Sequence, residues 1–367
     1  MVPIEQNADT CQRIALINPT KFLGNLLIAG GLIQALAADC RRRDVQLLLV
    51  LDQRYRPLLE RAFDAVEFVW YPRSELLRPG QPNAWKAWWR CVRRIRAFRA
   101  DLAFPIEDDS VAHQLTRLSG ARRRVASSAE RHPFGFHEVL PVPRSGRRPP
   151  ESHIWFSYRD VLERLDLAGA LPVAPCYIRL PDFESAGVNG PESSTIPYPD
   201  VDRGSGIVLH AGATKNYKKW PLAYFAELAK MLLERGDRVF LIGAGRSDAE
   251  VNRAIIEQVG EAARGVVDLC DRLSLPQLTG LLRNVDAVVG NDSGPMHLAG
   301  AVGTPGVVIF GPTDTALWHP LVESVQMVEN RGACDPRCRR RVCHRQYACL
   351  QGITPADVLD RLPVRPI

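Results

Sequence analysis

Long apolar runs are scarce in this sequence of 367 residues. None approaches the roughly 18 consecutive apolar residues that a membrane-spanning helix needs. The opening residues MVPIEQNADTCQR contain neither the basic segment nor the apolar segment that marks a secretory signal. The sequence therefore predicts a soluble protein of the cytoplasm.

Motifs of nucleic-acid binding are missing as well. The sequence has no zinc-finger spacing of the C2H2 type, no RNP-like aromatic motif and no compelling helix-turn-helix. The glycine turn LIGAGRSDAE (241–250) departs from the GxGxxG pattern of dinucleotide-binding enzymes. Neither a nucleic acid nor a nicotinamide cofactor is therefore expected as a ligand.

What is present is an ordinary globular composition with an excess of arginine. Apolar residues make up 46% and charged residues 24% of a chain long enough for two domains, and the net charge is +6. The basic residues are clustered, which favours an anionic partner such as a phosphorylated ligand or acidic lipid head groups. The clusters are CRRRD at 40–44, RCVRRIRAFR at 90–99, ARRRV at 121–125, RSGRRPP at 144–150 and RCRRRVCHR at 337–345.

Apolar runs alternate with helical patterns in both halves of the chain. In the first half the predicted strands RIALINP, VQLLLVL, VEFVWYP and DLAFPIE alternate with helices, of which NLLIAGGLIQALAADCRRR (25–43) is the first. A segment rich in Pro, Ser, Gly and acidic residues follows, and the alternation restarts at GIVLHAG. Repeated βα units predict α/β architecture with parallel sheets, hence two Rossmann-like domains facing across a ligand cleft.

The composition shifts also suggest boundaries for these parts. We expect an N-terminal domain over 1–180, a linker over 181–205 and a C-terminal domain over 206–350, within which 334–349 is rich in cysteine. The sequence TPADVLDRL, with a capping threonine, predicts a C-terminal helix within 351–367.

The stretch DAVVGNDSGPMHLAGAVGTPGVVIFGPTD carries the strongest motif. A buried strand runs into Asn-Asp-Ser-Gly-Pro (291–295), where Asp or Ser can cap a helix and Pro suits its first turn. The helix N-terminus then presents N–H groups and a positive dipole, which suit a diphosphate. His297 lies one turn further on. The alternative interpretation is ordinary turn chemistry between a strand and a helix.

A loop rich in lysine follows the first strand of the second half. In HAGATKNYKKWPLAYFAEL the strand ends in glycine, and Lys215, Lys218 and Lys219 precede the Trp-Pro that begins a helix. Lysines at this place can neutralise the charge of a leaving phosphate. The alternative interpretation is a solvated basic loop.

Together these segments resemble glycosyltransferase family 9, the ADP-heptose:lipopolysaccharide heptosyltransferases and their relatives. The resemblance covers most of the chain and is strongest over 207–314, where NDSGPMHLA, GTP and FGPTD are specific to the family. It implies a GT-B fold whose C-terminal domain binds a nucleotide-sugar and whose N-terminal domain binds the acceptor. It also implies a single displacement that inverts the anomeric centre without a metal.

The resemblance also implies roles for individual residues of the second half. Lys218 would contact the donor phosphates, and the neighbouring Lys219 is a further candidate for donor binding. The remaining donor-site positions implied by the resemblance are Asp292, Ser293, Gly294 and His297.

One position departs from the family pattern. After the first strand the family usually reads L-G-D, and this aspartate is its proposed general base, whereas KFLGNLLIAGG has Asn25. An amide cannot act as a base near neutral pH. Three explanations stay open: another carboxylate serves, no base is needed or the acceptor's own phosphate serves, or the protein binds without transferring. Among the carboxylates of PIEDDS, namely Glu107, Asp108 and Asp109, we predict Asp108 as the substitute base.

Four cysteines cluster near the end of the chain in a C-x3-C-x4-C-x5-C pattern, similar to a cysteine-rich segment of many family members. They are Cys334, Cys338, Cys343 and Cys349. Four thiolates can hold a structural zinc or iron ion. The pattern lacks C-x2-C knuckles, and the surrounding arginines lower thiol pKa values, so free or redox-active thiols are the alternative. No cofactor is expected for catalysis itself.

The stretch WKAWWRCVRRIRAFR (85–99) mixes three tryptophans with six basic residues. As a helix it can lie on the anionic inner face of the cytoplasmic membrane. The alternative is an ordinary surface helix whose tryptophans pack on the sheet.

The sequence thus predicts a glycosyltransferase that moves a sugar, heptose from ADP-heptose, onto a lipopolysaccharide-core, lipid-linked or protein acceptor. The alternative is a nucleotide-sugar-binding relative that has lost transferase activity, favoured by Asn25. A sugar epimerase of the GT-B type is disfavoured because the NDSG loop has no carboxylate beyond Asp292.

Overall fold

A computed structural model of the chain describes residues 11–76, 82–128, 134–141, 153–167, 169, 171–183, 206–333, 343 and 345–363. The chain divides into two compact units, Met1–Leu180 and Pro181–Ile367. Most of the predicted linker, residues 184–205, lies outside the described residues.

The first unit contains a six-stranded parallel sheet in the order β3-β2-β1-β4-β5-β6. Its strands are β1 (Arg13–Asn18), β2 (Gln46–Asp52), β3 (Glu67–Tyr71), β4 (Leu102–Phe104), β5 (Arg123–Ser128) and β6 (Glu138–Pro141). Its helices are α1 (Leu23–Arg42), α2 (Arg56–Leu59), α3 (Arg73–Leu76), α4 (Pro82–Ala97), α5 (Ser110–Leu118) and α6 (Ile154–Arg164).

The second unit contains another six-stranded parallel sheet, in the order β12-β11-β10-β7-β8-β9. Its strands are β7 (Ile207–His210), β8 (Val239–Leu241), β9 (Val266–Asp268), β10 (Ala287–Asn291), β11 (Gly306–Phe310) and β12 (Val325–Glu329). Its helices are α7 (Leu222–Glu234), α8 (Arg246–Val259), α9 (Leu275–Asn284), α10 (Gly294–Val302), α11 (Thr315–Trp318), α12 (Ala348–Gln351) and α13 (Pro355–Leu359).

The central strands are buried because helices cover both faces of each sheet. In β2 every residue after Gln46 is buried, and β10 and β11 are buried throughout. Continuous apolar runs are what such doubly covered strands require. The predicted α/β class with two Rossmann-like sheets is confirmed.

Helix α1 corrects the expectation that no segment is apolar enough to span a membrane. Its 20 residues have a mean hydropathy of 1.4 over the most apolar 18-residue window, and 72% of that window is buried inside the unit. The core helix of a folded domain has this character. Two glycines of α1 serve its packing, because a Cβ on Gly30 would lie 2.6 Å from the Cβ of Ile178, and one on Gly31 would lie 2.7 Å from the Cys176 carbonyl oxygen.

Three strands were not predicted from the sequence. Strand β5 has the sequence RRVASS, whose arginines suggested only a basic cluster, while β6 and β12 are short edge strands. The predicted C-terminal helix is shorter than expected. Helix α13 ends at Leu359 and begins at a capping box formed by Thr354 and Asp357.

Candidate functional site

Asn291 joins the two loops that carry the predicted donor residues. It is the last residue of β10 and is fully buried. Its Oδ1 accepts a hydrogen bond from the Trp220 backbone N–H at 2.9 Å, and its Nδ2 donates to the Ala211 carbonyl at 2.8 Å. Since both ends of the buried amide are satisfied, the lysine loop between β7 and α7 is held against the carboxyl end of β10.

The same loop brings Lys218 onto Asp292. Lys218 ends the 3-10 turn Asn216–Lys218, and its Nζ lies 2.6 Å from Asp292 Oδ2. The Asp292 side chain is 5% exposed and the Lys218 side chain is 23% exposed. Each charge therefore offsets the desolvation of the other, while the ammonium stays within reach of solvent. Lys219 follows as a half-buried residue at the end of the turn.

Ser293 and Gly294 begin helix α10 as predicted. Ser293 takes the N-cap position with an extended backbone, but its hydroxyl makes no cap hydrogen bond to the helix. The hydroxyl instead lies 2.9 Å from Nδ1 of His210. Within the described residues no side chain caps this nine-residue helix. The helix N-terminus, which directly follows Asp292 and its partner Lys218, therefore keeps uncapped N–H groups, an arrangement that suits an anion.

His210 links the α10 N-terminus to the glycine loop after β8. It is the last residue of β7, it is 6% exposed, and its Nε2 lies 4.0 Å from Asp248 Oδ2. Asp248 Oδ2 also accepts from the Ala244 backbone N–H at 3.0 Å. Burial lowers the pKa of His210, and Asp248 opposes that effect. Sequence reasoning missed His210 and Asp248, although His210 ends a strand in LHAG, where site residues of α/β proteins usually lie.

His297 is a buried neutral imidazole on α10. Burial lowers its pKa to about 4; Asp292 opposes this, whereas Lys218 and His319 add to it. At neutral pH the ring can therefore take part in hydrogen bonds but carries no positive charge. The structure thus brings His297 into the electrostatic neighbourhood of Lys218 and Asp292, as the sequence predicted.

In the first unit, Asn25 is hydrogen-bonded to a carboxylate. Its Nδ2 donates to Glu107 Oε2 at 2.9 Å, and Thr20 Oγ1 donates to the same oxygen at 3.2 Å. Strands β1 and β4 are parallel neighbours, so the segments that follow them meet at one edge of the sheet. Asn25 lies in the first turn of α1, just after β1, and Glu107 lies just after β4.

Glu107 is a buried carboxylate with a raised pKa. It is 8% exposed, and burial raises its pKa to about 7. Asn25, Asn18 and Thr20 oppose this by stabilising the ionised form, while the charge of Asp109 adds to it. Tyr158 of α6 is fully buried beside this group, and its pKa is raised by burial and by Glu107. Tyr158 was missed because nothing in the pattern of α6 distinguishes it from a core tyrosine.

The carboxylate that contacts Asn25 is Glu107, whereas Asp108, the predicted substitute base, does not reach it. Asp109 caps α5, because its Oδ1 accepts from the Val111 and Ala112 backbone N–H groups, both at 3.0 Å. Asp108 has a side chain 37% exposed and lies 3.9 Å from Nε2 of His113. The sequence could not tell which of the three consecutive carboxylates contacts Asn25.

The loop that carries Thr20 is held by buried charges. Asp52, at the end of β2, is fully buried and pairs with Arg73 at 2.6 Å and with Arg54 at 3.1 Å. Arg73 donates to the Pro19 carbonyl, and the Tyr55 hydroxyl donates to the Lys21 carbonyl at 2.8 Å. The backbone on either side of Thr20 is therefore placed before any ligand binds.

The predicted metal site lies only partly within the described residues. Cys334 and Cys338 lie outside the described residues, Cys343 is half-buried and Cys349 belongs to the core of the second unit. Among the described residues no group of three or more His, Cys, Asp or Glu side chains could hold a metal ion. The structural zinc or iron ion stays a prediction.

Comparison with known proteins identifies relatives for the second unit. Residues 179–348 match the family model described as glycosyltransferase family 9 (heptosyltransferase). Over 158 residues the chain is 30% identical to lipooligosaccharide heptosyltransferase 2 of Campylobacter jejuni, an alignment covering 42% of this chain and 48% of that protein. The chain thus spans about half the length of the curated relatives it matches.

Two solved structures share the fold over nearly the whole chain. The E. coli ADP-heptose lipopolysaccharide heptosyltransferase II is 22% identical with a TM-score of 0.69, covering 95% of this chain and 97% of that one. The E. coli heptosyltransferase WaaC with ADP is 17% identical with a TM-score of 0.69, covering 95% and 98%. At these identities the likeness concerns the fold, and it agrees with the predicted fold class.

Proposed function

Because residues 179–348 match the model of glycosyltransferase family 9, we propose that the chain is an inverting, metal-independent glycosyltransferase of that family. Its donor is a nucleotide-sugar, ADP-heptose, and its acceptor is a lipopolysaccharide core or another cell-envelope acceptor, lipid-linked or protein. The observation that carries the proposal is the Lys218–Asp292 pair at 2.6 Å beside the N-terminus of α10, within the residues that match the family. The names of the two E. coli neighbours support an adenine nucleotide donor.

The donor diphosphate would be held by Lys218 and by the N-terminus of α10. Asp292 neutralises Lys218 in the free protein and so keeps the ammonium in place without a ligand. A diphosphate brings two or more negative charges and hydrogen-bond acceptors to the same point, where a lysine and a helix N-terminus both favour them. This is the charge distribution that a leaving nucleoside diphosphate requires.

The proposed reaction is a single displacement. The acceptor oxygen forms a bond to the anomeric carbon from the side opposite the diphosphate, so the centre inverts. The bond from that carbon to the diphosphate oxygen breaks, and its electron pair stays on the diphosphate. Lys218 and the α10 dipole stabilise the charge that develops there, so the proposed chemistry assigns this task to protein groups rather than to a divalent cation.

A further part of the proposal places the protein at the inner face of the cytoplasmic membrane. On α4 the Trp85 side chain is 64% exposed and stacks on Trp88 with 5.4 Å between ring centroids. Lys86, Arg90 and Arg93 are exposed on the same helix. An interfacial tryptophan among cations suits anionic head groups, and docking through α4 would bring the protein to a lipid-linked acceptor.

The competing function is a protein that binds nucleotide-sugars without transferring them. The observation that favours it is Asn25, an amide at the position where the family usually has its proposed base. The two functions share the donor site and differ in turnover, so they can be separated by experiment.

The experiment measures ADP and ADP-heptose binding by calorimetry, and nucleotide release with and without a lipopolysaccharide-core acceptor. Lys218→Met should weaken ADP binding about 10- to 100-fold, the range for losing a charged hydrogen-bond partner. Lys230→Met, an exposed lysine on α7, is the matched control and should bind as the wild type does. Tight ADP-heptose binding without acceptor-dependent release would contradict transfer and favour the binding protein.

A further inference from the structure

We propose that Glu107 takes the proton from the acceptor hydroxyl, with Asn25 and Thr20 holding its carboxylate in place. The inference rests on the proposed transferase function and assigns its missing base. It starts from the contact at the carboxyl edge of the first sheet, where Asn25 Nδ2 lies 2.9 Å and Thr20 Oγ1 lies 3.2 Å from Glu107 Oε2.

The hydrogen bonds of Glu107 are unevenly shared between its two oxygens. Asn25 and Thr20 both donate to Oε2, whereas Oε1 is buried and no donor reaches it with normal hydrogen-bond geometry within the described part of the chain. A buried acceptor without a donor is costly in a folded protein, and such groups concentrate at functional sites. The Glu107 carboxylate therefore keeps lone pairs that can hold a proton.

Asn25 suits this role because of its amide chemistry. An aspartate at position 25 would put two carboxylates within hydrogen-bond distance, and one of them would stay protonated at neutral pH. The amide instead donates to Glu107 and favours its ionised form. The asparagine at position 25 and the buried glutamate thus act together. The proposed base lies in the segment after β4 and not on helix α1.

The chemical step balances with these groups alone. The acceptor oxygen forms its bond to the anomeric carbon as the bond to the diphosphate oxygen breaks. The electron pair of the breaking bond stays on the diphosphate. The proton of the acceptor hydroxyl moves to the Glu107 carboxylate, which becomes a neutral carboxylic acid.

The pH dependence expected of this base follows from its surroundings. The groups that act on Glu107 are Asp109, whose charge raises its pKa, and the amides and hydroxyl of Asn18, Asn25 and Thr20, which lower it. The buried Tyr158 and Tyr55 also sense its charge, but both have raised pKa values and stay neutral in the working range. Because burial sets the pKa of Glu107 near 7, kcat should rise with pH through about 7 and then level off.

The test compares Glu107→Gln, Asn25→Asp and the double variant with the wild type. Acceptor-dependent nucleotide release gives kcat and KM, and calorimetry with ADP-heptose gives donor affinity. Glu107→Gln should lower kcat about 100-fold or more, the usual contribution of general base catalysis. Donor affinity should stay unchanged, the rise of kcat through pH 7 should disappear, and adding Asn25→Asp should restore part of the lost kcat.

Asp39→Asn is the matched control, because Asp39 is a buried carboxylate in the last turns of α1, paired with Arg42. It should keep the wild-type kcat and pH profile. Wild-type kcat in Glu107→Gln would overturn the base assignment and leave the transferase function standing. Loss of donor binding together with kcat would also overturn it, since it would indicate a structural role. A wild type that binds ADP-heptose but transfers to no acceptor would overturn both the base and the transferase proposal.

Discussion

The buried carboxylate of Glu107 should make the stability of the first unit depend on pH. Its ordinary pKa is 4.5, and burial raises it to about 7 in the folded protein. A raised pKa means that the folded state holds the proton more tightly than the unfolded state. The stabilisation is therefore complete below pH 4.5 and is lost as the pH rises through 7.

The magnitude follows from the separation of the two pKa values. Each unit of separation corresponds to about 1.4 kcal/mol, so complete ionisation of Glu107 costs about 3 kcal/mol of unfolding free energy. Part of that cost is already present at pH 5.5, which leaves about 2 kcal/mol between pH 5.5 and 8. Glu107→Gln keeps the shape and one acceptor oxygen but cannot ionise, so its stability should lack this component.

The assay is urea unfolding of both proteins at several pH values, followed by tryptophan fluorescence. Trp155 on α6 is fully buried in the first unit and reports on its unfolding. Subtracting the unfolding free energy of Glu107→Gln from that of the wild type at each pH removes the contribution of every other titrating group. Glu60→Gln, which removes a carboxylate 47% exposed on the surface of the same unit, is the matched control for the loss of one negative charge. A wild-type minus Glu107→Gln difference that stays constant from pH 5.5 to 8 would refute the reasoning from burial.

Four further predictions concern other parts of the chain. Gly311→Ala should destabilise the second unit by about 1–3 kcal/mol in thermal unfolding, because its Cβ would lie 2.8 Å from the Tyr217 carbonyl oxygen. Because the pKa of His297 is lowered to about 4, the unfolding free energy of the wild type should fall by up to about 3 kcal/mol as the pH falls from 6.5 to 4. Acid unfolding of His297→Gln should lack this loss. Trp85→Ala should reduce sedimentation with anionic vesicles and leave the background with zwitterionic vesicles unchanged; equal sedimentation of both proteins would contradict membrane docking. Elemental analysis of the purified protein should find zinc or iron that is lost in Cys343→Ser; metal-free wild type would leave the clustered cysteines as thiols.

The sequence alone determined the architecture and placed the two loops of the predicted donor site at strand ends. Continuous apolar runs in alternation with amphipathic helices require parallel sheets covered on both faces, so α/β class and most strands follow from local pattern. The lysine loop and the NDSGP turn could both be placed at strand ends from the order of elements. Lys218 and Asp292 were both assigned to one predicted donor site, and the structure shows that they form an ion pair at 2.6 Å.

Only the tertiary structure decided the partners that depend on side-chain direction. The sequence offered three consecutive carboxylates after β4, and local pattern could not distinguish the cap of α5 from the group that faces Asn25. Asp109 caps the helix, Asp108 lies near His113 and Glu107 meets Asn25 at 2.9 Å. Tyr158 of α6, a helix distant in the chain, lies close enough for the charge of Glu107 to help burial raise its pKa. Strand order and helix packing set these contacts between residues far apart in sequence, so no local signal encodes them.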